Sequence, residues 1–105
     1  SFIMQITVED GTQVSEEAAK ELRKHADMIE CQCPNKLLDI LEVVRDFERY
    51  TENCIEKYPE DRDSHKWLKS SAINLDQLLS STLIQLARIE GFIDEENKIV
   101  DRQNI

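Results

Sequence analysis

The pattern of apolar and polar positions is dominated by one long helical stripe between Leu68 and Ile93. Its members recur at alternating steps of four and three residues, which places them on one side of an α-helix. They are Leu68, Ala72, Leu75, Leu79, Thr82, Leu86, Ile89 and Ile93. Because Gly91 is suited to end a helix, the pattern predicts a central helix over residues 62–90, on which the rest of the chain packs.

A second long stripe precedes the central one. Apolar residues from Leu37 to Tyr58 repeat at the same spacing, with mostly charged residues on the opposite side. Pro34 suits the first turn of a helix and Pro59 disfavours its continuation, so we predict a helix over residues 34–58. The following connector is short, which predicts that the two long helices form an antiparallel hairpin with coiled-coil-type packing.

The N-terminal part predicts a short helix over residues 15–30. Ser15 is a favourable N-cap, and Glu16 and Glu17 place negative charge in the first turn, where the helix dipole favours it. The apolar positions of this segment carry mostly small residues. The helix can therefore lie close to another helix.

The two ends of the chain predict a small strand element. Apolar and polar residues alternate from Phe2 to Val8, which indicates a strand within an arm of residues 1–10. An isolated strand needs a partner for its backbone groups. The sequence offers two possible pairing partners for this strand. One is the segment Ile99–Val100 in the tail of residues 92–105, and the other is the same strand of a second subunit. The segment 92–100 itself predicts a small hairpin or a docked arm.

The central helix carries a second apolar side. Ile73, Ile84 and, at its edge, Ala87 lie nearly opposite the main stripe, and the small Ser80 is interleaved with them. A helix that is apolar on two sides is covered on two sides, here by the first helix or by a second copy of the chain. Because a hairpin plus one short helix makes a thin core, we predict a homodimer built as a four-helix-type bundle, with these four residues in the dimer interface.

Composition agrees with one mainly α domain over residues 1–105. Glycine and proline are rare, and 33% of the residues are charged. The formal net charge of −9 makes nucleic acid and anionic membranes unfavourable partners. The sequence holds no apolar run that predicts a membrane span and no signal-peptide pattern, and three cysteines are too few for a secreted disulfide scaffold. We therefore expect a cytoplasmic protein.

One group of residues suggests chemistry. Cys33 is expected at or near the start of the second helix, where the helix dipole stabilises a thiolate, and Cys31 lies beside it. His25 is close enough in sequence to join them, so Cys31, Cys33 and His25 are candidate ligands for zinc or a similar ion. The simpler alternative is that Cys33 caps the helix and Cys31 packs in the interior, because the second pair of ligands that is typical of a zinc site is missing. Cys54 lies in the apolar stripe and is expected to pack in the core.

These patterns predict a protein-interaction module more readily than an enzyme. The sequence contains no phosphate-binding glycine loop and no Ser-His-Asp arrangement. The predicted function is a small, acidic, non-catalytic dimerisation module with a regulatory or adaptor role, which presents its helical surface to another protein. The alternative is a metal- or redox-responsive sensor that uses Cys31 and Cys33. An enzyme with a pocket between the helices has no residue pattern to support it.

Overall fold

The computed structural model describes residues 4–5, 8–9 and 13–100, with side chains described from residue 13 onwards. Its elements are β1 (Met4–Gln5), β2 (Val8–Glu9), β3 (Gln13–Val14), α1 (Glu16–Ala26), α2 (Cys33–Lys57), a 3₁₀ turn (Pro59–Asp61), α3 (Arg62–Glu90) and β4 (Lys98–Ile99). The protein is therefore mainly helical, as the sequence predicts, and its two long helices pack against each other.

The ends of α1 follow from local hydrogen bonds. The Ser15 side chain accepts a hydrogen bond of 3.1 Å from the backbone N–H of Ala18, so it caps the first turn as predicted. The helix stops at Ala26, four residues before the predicted end. The amide of Gln32 reaches back and donates to the carbonyl oxygen of Ile29 at 2.8 Å, which stabilises a turn in place of another helical turn.

The long helices begin and end close to the predicted residues. Helix α2 starts at Cys33 with Gln32 as its N-cap, so Cys33 already belongs to the helix and Pro34 occupies its second position. Helix α3 covers the predicted range. It ends at Glu90 and is capped by Gly91, whose φ of 79° is in the left-handed region that favours glycine.

The N- and C-terminal segments meet on one side of the long helices. Strand β1 pairs antiparallel with β4, with Met4 opposite Ile99. This is the first of the two partners that the sequence leaves open. Strand β2 pairs antiparallel with β3, and Ile93 forms an isolated bridge with Ile99. The other residues of the predicted strand and the turn at residues 10–11 lie outside the described part of the chain.

The core lies between α1, the C-terminal segment and one side of α2 and α3. It contains Val14, Ala18, Leu22, Ala26, Leu38, Leu41, Leu83, Ile84, Ala87, Phe92, Ile93 and Ile99.

The buried side of α3 differs from the predicted one. Leu75, Thr82 and Ile89 of the predicted stripe are exposed. The buried residues of α3 are Ala72, Asp76, Ser80, Leu83, Ile84 and Ala87. Three of these six, Ala72, Ser80 and Ala87, are small, which lets neighbouring backbone approach closely. The polar Asp76 is tolerated among them because Arg45 of α2 binds its carboxylate.

Candidate interaction surface

A row of large apolar side chains is exposed along α2. Ile40, Val43, Phe47 and Tyr50 are spaced by three, four and three residues, so they share one side of the helix. Val43, for example, is 67% exposed. The sequence predicted these positions as part of a core-facing stripe, but no other part of the described chain covers them.

Helix α3 continues the same surface. Leu75 is partly exposed and Leu78 is 65% exposed. The salt bridge between Arg45 and Asp76 puts the middle of α2 beside the middle of α3, with 2.8 Å between the guanidinium Nε and the carboxylate Oδ2. Leu75 and Leu78 therefore lie at the level of Val43 and Phe47. We call these six residues, Ile40, Val43, Phe47, Tyr50, Leu75 and Leu78, the apolar face.

The apolar face lies on the side of the helix pair away from the N-terminal segment. Val14 of β3 contacts Arg45 on α2 and Ser80 on α3 through its backbone. Two positions along a helix correspond to a rotation of about 200°. Val43 and Phe47 are each two residues from Arg45, and Leu78 is two residues from Ser80. Both helices therefore turn these apolar side chains away from β3.

A buried polar network holds α2, α3 and β3 together beneath this surface. The Asp76 carboxylate accepts hydrogen bonds from the Arg45 guanidinium at 2.8 and 3.2 Å and from the Ser80 hydroxyl at 2.9 Å. Ser80 also accepts from the backbone N–H of Val14 at 3.1 Å. Arg45 donates to the carbonyl oxygen of Val14 as well. Every charge in the network is matched by a partner, which is the condition for burying it.

Sequence reasoning missed this network. Asp76 and Ser80 are four residues apart among small and apolar residues of α3. A carboxylate in such a setting is a signal that a buried cation faces it. The candidate cations on α2 are Arg45 and Arg49, and helical spacing alone does not choose between them.

Next to the network, Glu48 has a perturbed pKa. Partial burial raises the pKa of Glu48 most, the negative charge of Asp76 raises it further, and the positive charges of Lys69 and Arg45 oppose the shift. The folded state therefore favours the neutral carboxylic acid. The stability that Glu48 contributes is present below its ordinary pKa of 4.5 and is lost as the pH rises through the raised value.

We accordingly predict that Glu48→Gln leaves the protein as stable as wild type or more stable near pH 7. The glutamine removes a carboxylate that is unfavourable when charged, and the advantage should disappear as the pH falls below about 4. Urea unfolding curves of both proteins across this pH range measure the effect. A variant that loses stability near pH 7 would show that the charged form is favoured in the fold.

The three predicted metal ligands differ in how exposed they are. Cys31 and Cys33 are both exposed. His25 is half-buried and stacks on Phe92, with 5.5 Å between the ring centroids. In the described part of the chain, no three His, Cys, Asp or Glu side chains form a group that could hold a metal ion. Zinc binding by His25, Cys31 and Cys33 therefore stays a prediction from the sequence.

The Cys33 thiol differs from the expected thiolate. A hydrogen bond with the Cys31 side chain raises the pKa of Cys33 most, and Glu90 at the end of α3 adds a further upward shift. The dipole of α2 was expected to lower this pKa, but the neighbouring thiol and the carboxylate oppose it. Cys54 is buried, which agrees with its predicted packing in the core.

The surface also has a groove of about 450 Å³ between α1 and α2. Several of its charged side chains are paired: Arg23 binds Glu42 at 3.6 Å, and Arg49 pairs with Asp46. Paired charges leave little for a ligand to bind, so the groove carries no functional assignment.

Comparisons of the chain with protein families, with curated proteins and with solved structures gave no match. None of the helices in the described part of the chain has the length and apolar character needed to cross a membrane.

Proposed function

We propose that this protein is a small, non-catalytic interaction module that works as a homodimer. The observation that supports this function is the apolar face, whose six large side chains are partly or largely exposed in the single chain. An exposed apolar patch of this size is unfavourable in water and is typical of an interaction surface. As part of the same proposal, the protein is cytoplasmic and has a regulatory or adaptor role.

The architecture proposed for the dimer is a four-helix-type bundle. Contacts between α2 and α3 support an antiparallel hairpin: Tyr58 lies beside His65, Glu52 binds Lys69, and Arg45 binds Asp76. Residue numbers rise along one helix as they fall along the other. Two such hairpins that stack through their apolar faces bury both faces in a common core.

A second copy of the chain is the occupant we propose for the apolar face. The face carries no charged residue, although 33% of the chain is charged and the net charge is −9. Two identical apolar surfaces complement each other around a two-fold axis and keep the acidic residues at the rim. The apolar face is about 15 Å long on α2 and crosses two helices that lie about 8–10 Å apart, so it would form the centre of an interface whose rim is polar.

The proposed surface is not the one predicted from the sequence. Ser80, Ile84 and Ala87 are buried within the chain itself, and Ile73 is half-buried. They lie on the side of α3 that the N-terminal segment and the core occupy. Self-association stays a prediction, but the residues that we now propose for it lie on the opposite side of the helix.

The acidic surface is the part proposed to meet another protein. Glu56, Glu60 and Asp63 are exposed near the turn between α2 and α3, outside the apolar face. Dimerisation through the apolar face leaves them accessible. A negatively charged surface favours a protein partner with a basic patch and disfavours nucleic acid and anionic membranes.

Leu78→Glu tests the homodimer. We expect the wild type to sediment as a dimer at micromolar concentrations and the variant to dissociate at least about 100-fold more readily. The symmetry of the dimer would bury two unpaired carboxylates, and each costs several kcal/mol in an apolar interface. Analytical ultracentrifugation over a range of protein concentrations measures the dissociation constant.

Met28→Glu is the matched control. It also places one glutamate on a largely exposed apolar residue, but Met28 lies in the turn after α1 and outside the apolar face. This variant should remain as dimeric as the wild type. A wild-type protein that is monomeric at every concentration contradicts the proposal. A dimer that survives Leu78→Glu and dissociates in Ile73→Glu would return the interface to the residues predicted from the sequence.

A further inference from the structure

The exposed apolar surface of α3 extends beyond the apolar face in both directions. Trp67 and Ile89 are 68% and 70% exposed, close to the 65% of Leu78. Each lies 11 residues from Leu78, which is about three helical turns with a rotation of only about 20°. All three side chains therefore lie on one side of α3, along about 33 Å of the helix.

Large and small side chains are divided between the two halves of this extended surface. Val43 and Leu78 mark its middle, because each lies two residues from a member of the Arg45–Asp76 pair. The exposed aromatic side chains of the surface lie between this level and the turn that joins α2 to α3. They are Phe47, Tyr50 and Trp67. The exposed apolar side chains beyond the middle are aliphatic, namely Ile40 and Ile89. The surface is therefore thicker in the half near the turn.

Two hairpins can stack face to face around a two-fold axis in two ways. An axis parallel to the helices keeps both turns at the same end and places each half of the surface against the same half of the partner. An axis across the helices reverses the partner, so the half near one turn lies against the half far from the other turn. The first arrangement gathers all the aromatic side chains at one end and the isoleucines at the other, which separates the two hairpins unevenly.

We propose that the second copy is reversed, so that Trp67 of each chain packs against the partner's Ile89. This inference rests on the homodimer proposed above. With the axis at the level of Leu78, α3 lies antiparallel on its own copy. A residue 11 positions before Leu78 then meets one 11 positions after it.

The same axis pairs the apolar residues of α2. Ile40 and Phe47 lie three and four residues on either side of Val43, so Phe47 of one chain meets the partner's Ile40. Each large aromatic side chain on these two helices is thus set against an isoleucine. The hairpins are evenly spaced along the interface, as close packing requires.

The reversed arrangement separates the two acidic surfaces of the dimer. Glu56 lies 13 residues from Val43, about 20 Å along α2, so its two copies lie about 40 Å apart on opposite sides of the axis. Glu60 and Asp63 are exposed near the same turn. One basic protein partner can therefore bind at each end of the dimer without contact between the two partners.

A charge exchange across the interface tests the orientation. Trp67→Glu and Ile89→Lys each replace an exposed side chain, so the single chain should fold like the wild type, and each should weaken the dimer by about tenfold or more. The double variant Trp67→Glu/Ile89→Lys should dissociate at least about fivefold less readily than the two losses multiplied together predict. Each new carboxylate then faces a new ammonium group of the partner, and the dimer contains two such pairs. Analytical ultracentrifugation measures the dissociation constants.

Trp67→Lys/Ile89→Lys is the matched control. It removes the same two apolar side chains but sets like charges against each other, so it should dissociate more readily than its two single variants predict. In the arrangement with both turns at one end, position 67 is about 33 Å from position 89 of the partner. Both double variants would then show simply multiplied losses, and that result overturns the reversed orientation.

A distance measurement tests the orientation without charged substitutions. The variant Cys31→Ser/Cys33→Ser/Asp63→Cys carries one accessible thiol per chain, because Cys54 is buried. Position 63 lies 15 residues from Leu78, so nitroxide labels on the two copies should be about 45 Å apart in pulsed electron paramagnetic resonance.

Sedimentation of the same labelled sample separates the two proposals. A dimer with labels less than about 30 Å apart has both turns at one end, which overturns the reversed orientation and leaves the homodimer in place. A labelled and a wild-type protein that are both monomeric overturn both proposals.

Discussion

Arg45→Met is expected to lower the free energy of unfolding by about 3–5 kcal/mol, because it leaves the Asp76 carboxylate buried without its counter-charge. The Asp76 side chain is 1% exposed and that of Arg45 is 15% exposed. Methionine keeps most of the apolar stem of arginine, so the loss reports the charge and its hydrogen bonds rather than packing. For a domain with a total stability of about 5–15 kcal/mol, this loss is large.

Arg49→Met provides the matched comparison for Arg45→Met. Arg49 is on the same helix, one turn further along, and pairs with Asp46 in an exposed salt bridge. Such pairs contribute at most about 1 kcal/mol, so this variant should unfold almost like the wild type. Urea unfolding followed by circular dichroism, at one protein concentration for all variants, gives both values. Equal losses at positions 45 and 49 would mean that the buried network does not hold the helices together.

The double variant Arg45→Met/Asp76→Leu separates two explanations for the loss. If the cost of Arg45→Met comes from the orphaned carboxylate, removing that carboxylate should recover much of the stability. Ser80 keeps its hydrogen bond from the backbone of Val14 in either variant. A double variant that is less stable than Arg45→Met would show that Asp76 contributes through Ser80 and β3 instead.

Phe92→Ala is expected to cost about 3–5 kcal/mol, the range found when a large buried aromatic side chain is removed. Phe92 is 1% exposed and stacks on His25, so its ring fills the space between α1 and the C-terminal segment. The cavity left by alanine cannot close easily, because the backbone on both sides of Phe92 is fixed. Its N–H donates to the carbonyl oxygen of Ala87 at 2.8 Å, and its own carbonyl accepts from Val100 at 2.8 Å.

Phe92→Leu tests whether volume explains the effect of Phe92→Ala. Leucine fills much of the same space, and its cost should stay below about 1.5 kcal/mol. Limited trypsin digestion adds a local measurement, since α1 contains Lys20 and Lys24. Loss of the ring should expose α1 and speed cleavage there before α2 and α3 unfold. Unchanged cleavage of α1 in Phe92→Ala would contradict a role for Phe92 in holding this helix.

The candidate interaction surface could be predicted only in part. The stripes on α2 and α3 were recognised as apolar, and the sequence suggested that the central helix is covered on two sides. The assignment of the two sides was partly wrong. Ser80, Ile84 and Ala87 were expected in a dimer interface, yet they are buried within the chain. Leu75 of the predicted main stripe is exposed, whereas Ala72 of the same stripe is buried. Counting apolar residues favours the larger side chains and overlooks the close approach that small ones allow.

The direction of the pKa shift of Cys33 could also not be predicted from the sequence. Their spacing in the sequence made them a candidate pair, but helical position alone indicated a stabilised thiolate at Cys33. The pKa of Cys33 is raised mostly by the neighbouring Cys31 and, to a smaller extent, by the negative charge of Glu90, which is distant in sequence. Only the contribution of Glu90 depends on the tertiary structure.

The sequence by itself determined the mainly helical fold and the positions of its helices. Local signals carry this information: the Ser15 cap, Pro34 and Pro59 at the ends of α2, and Gly91 after α3 act within a few residues of where they stand. Tertiary structure decided which sides of the long helices are buried. That choice depends on Arg45, which lies 31 residues from Asp76 and supplies the charge that lets a carboxylate enter the core. The polar network turns one side of α2 and α3 towards β3. The apolar face is on the opposite side of both helices and is therefore exposed.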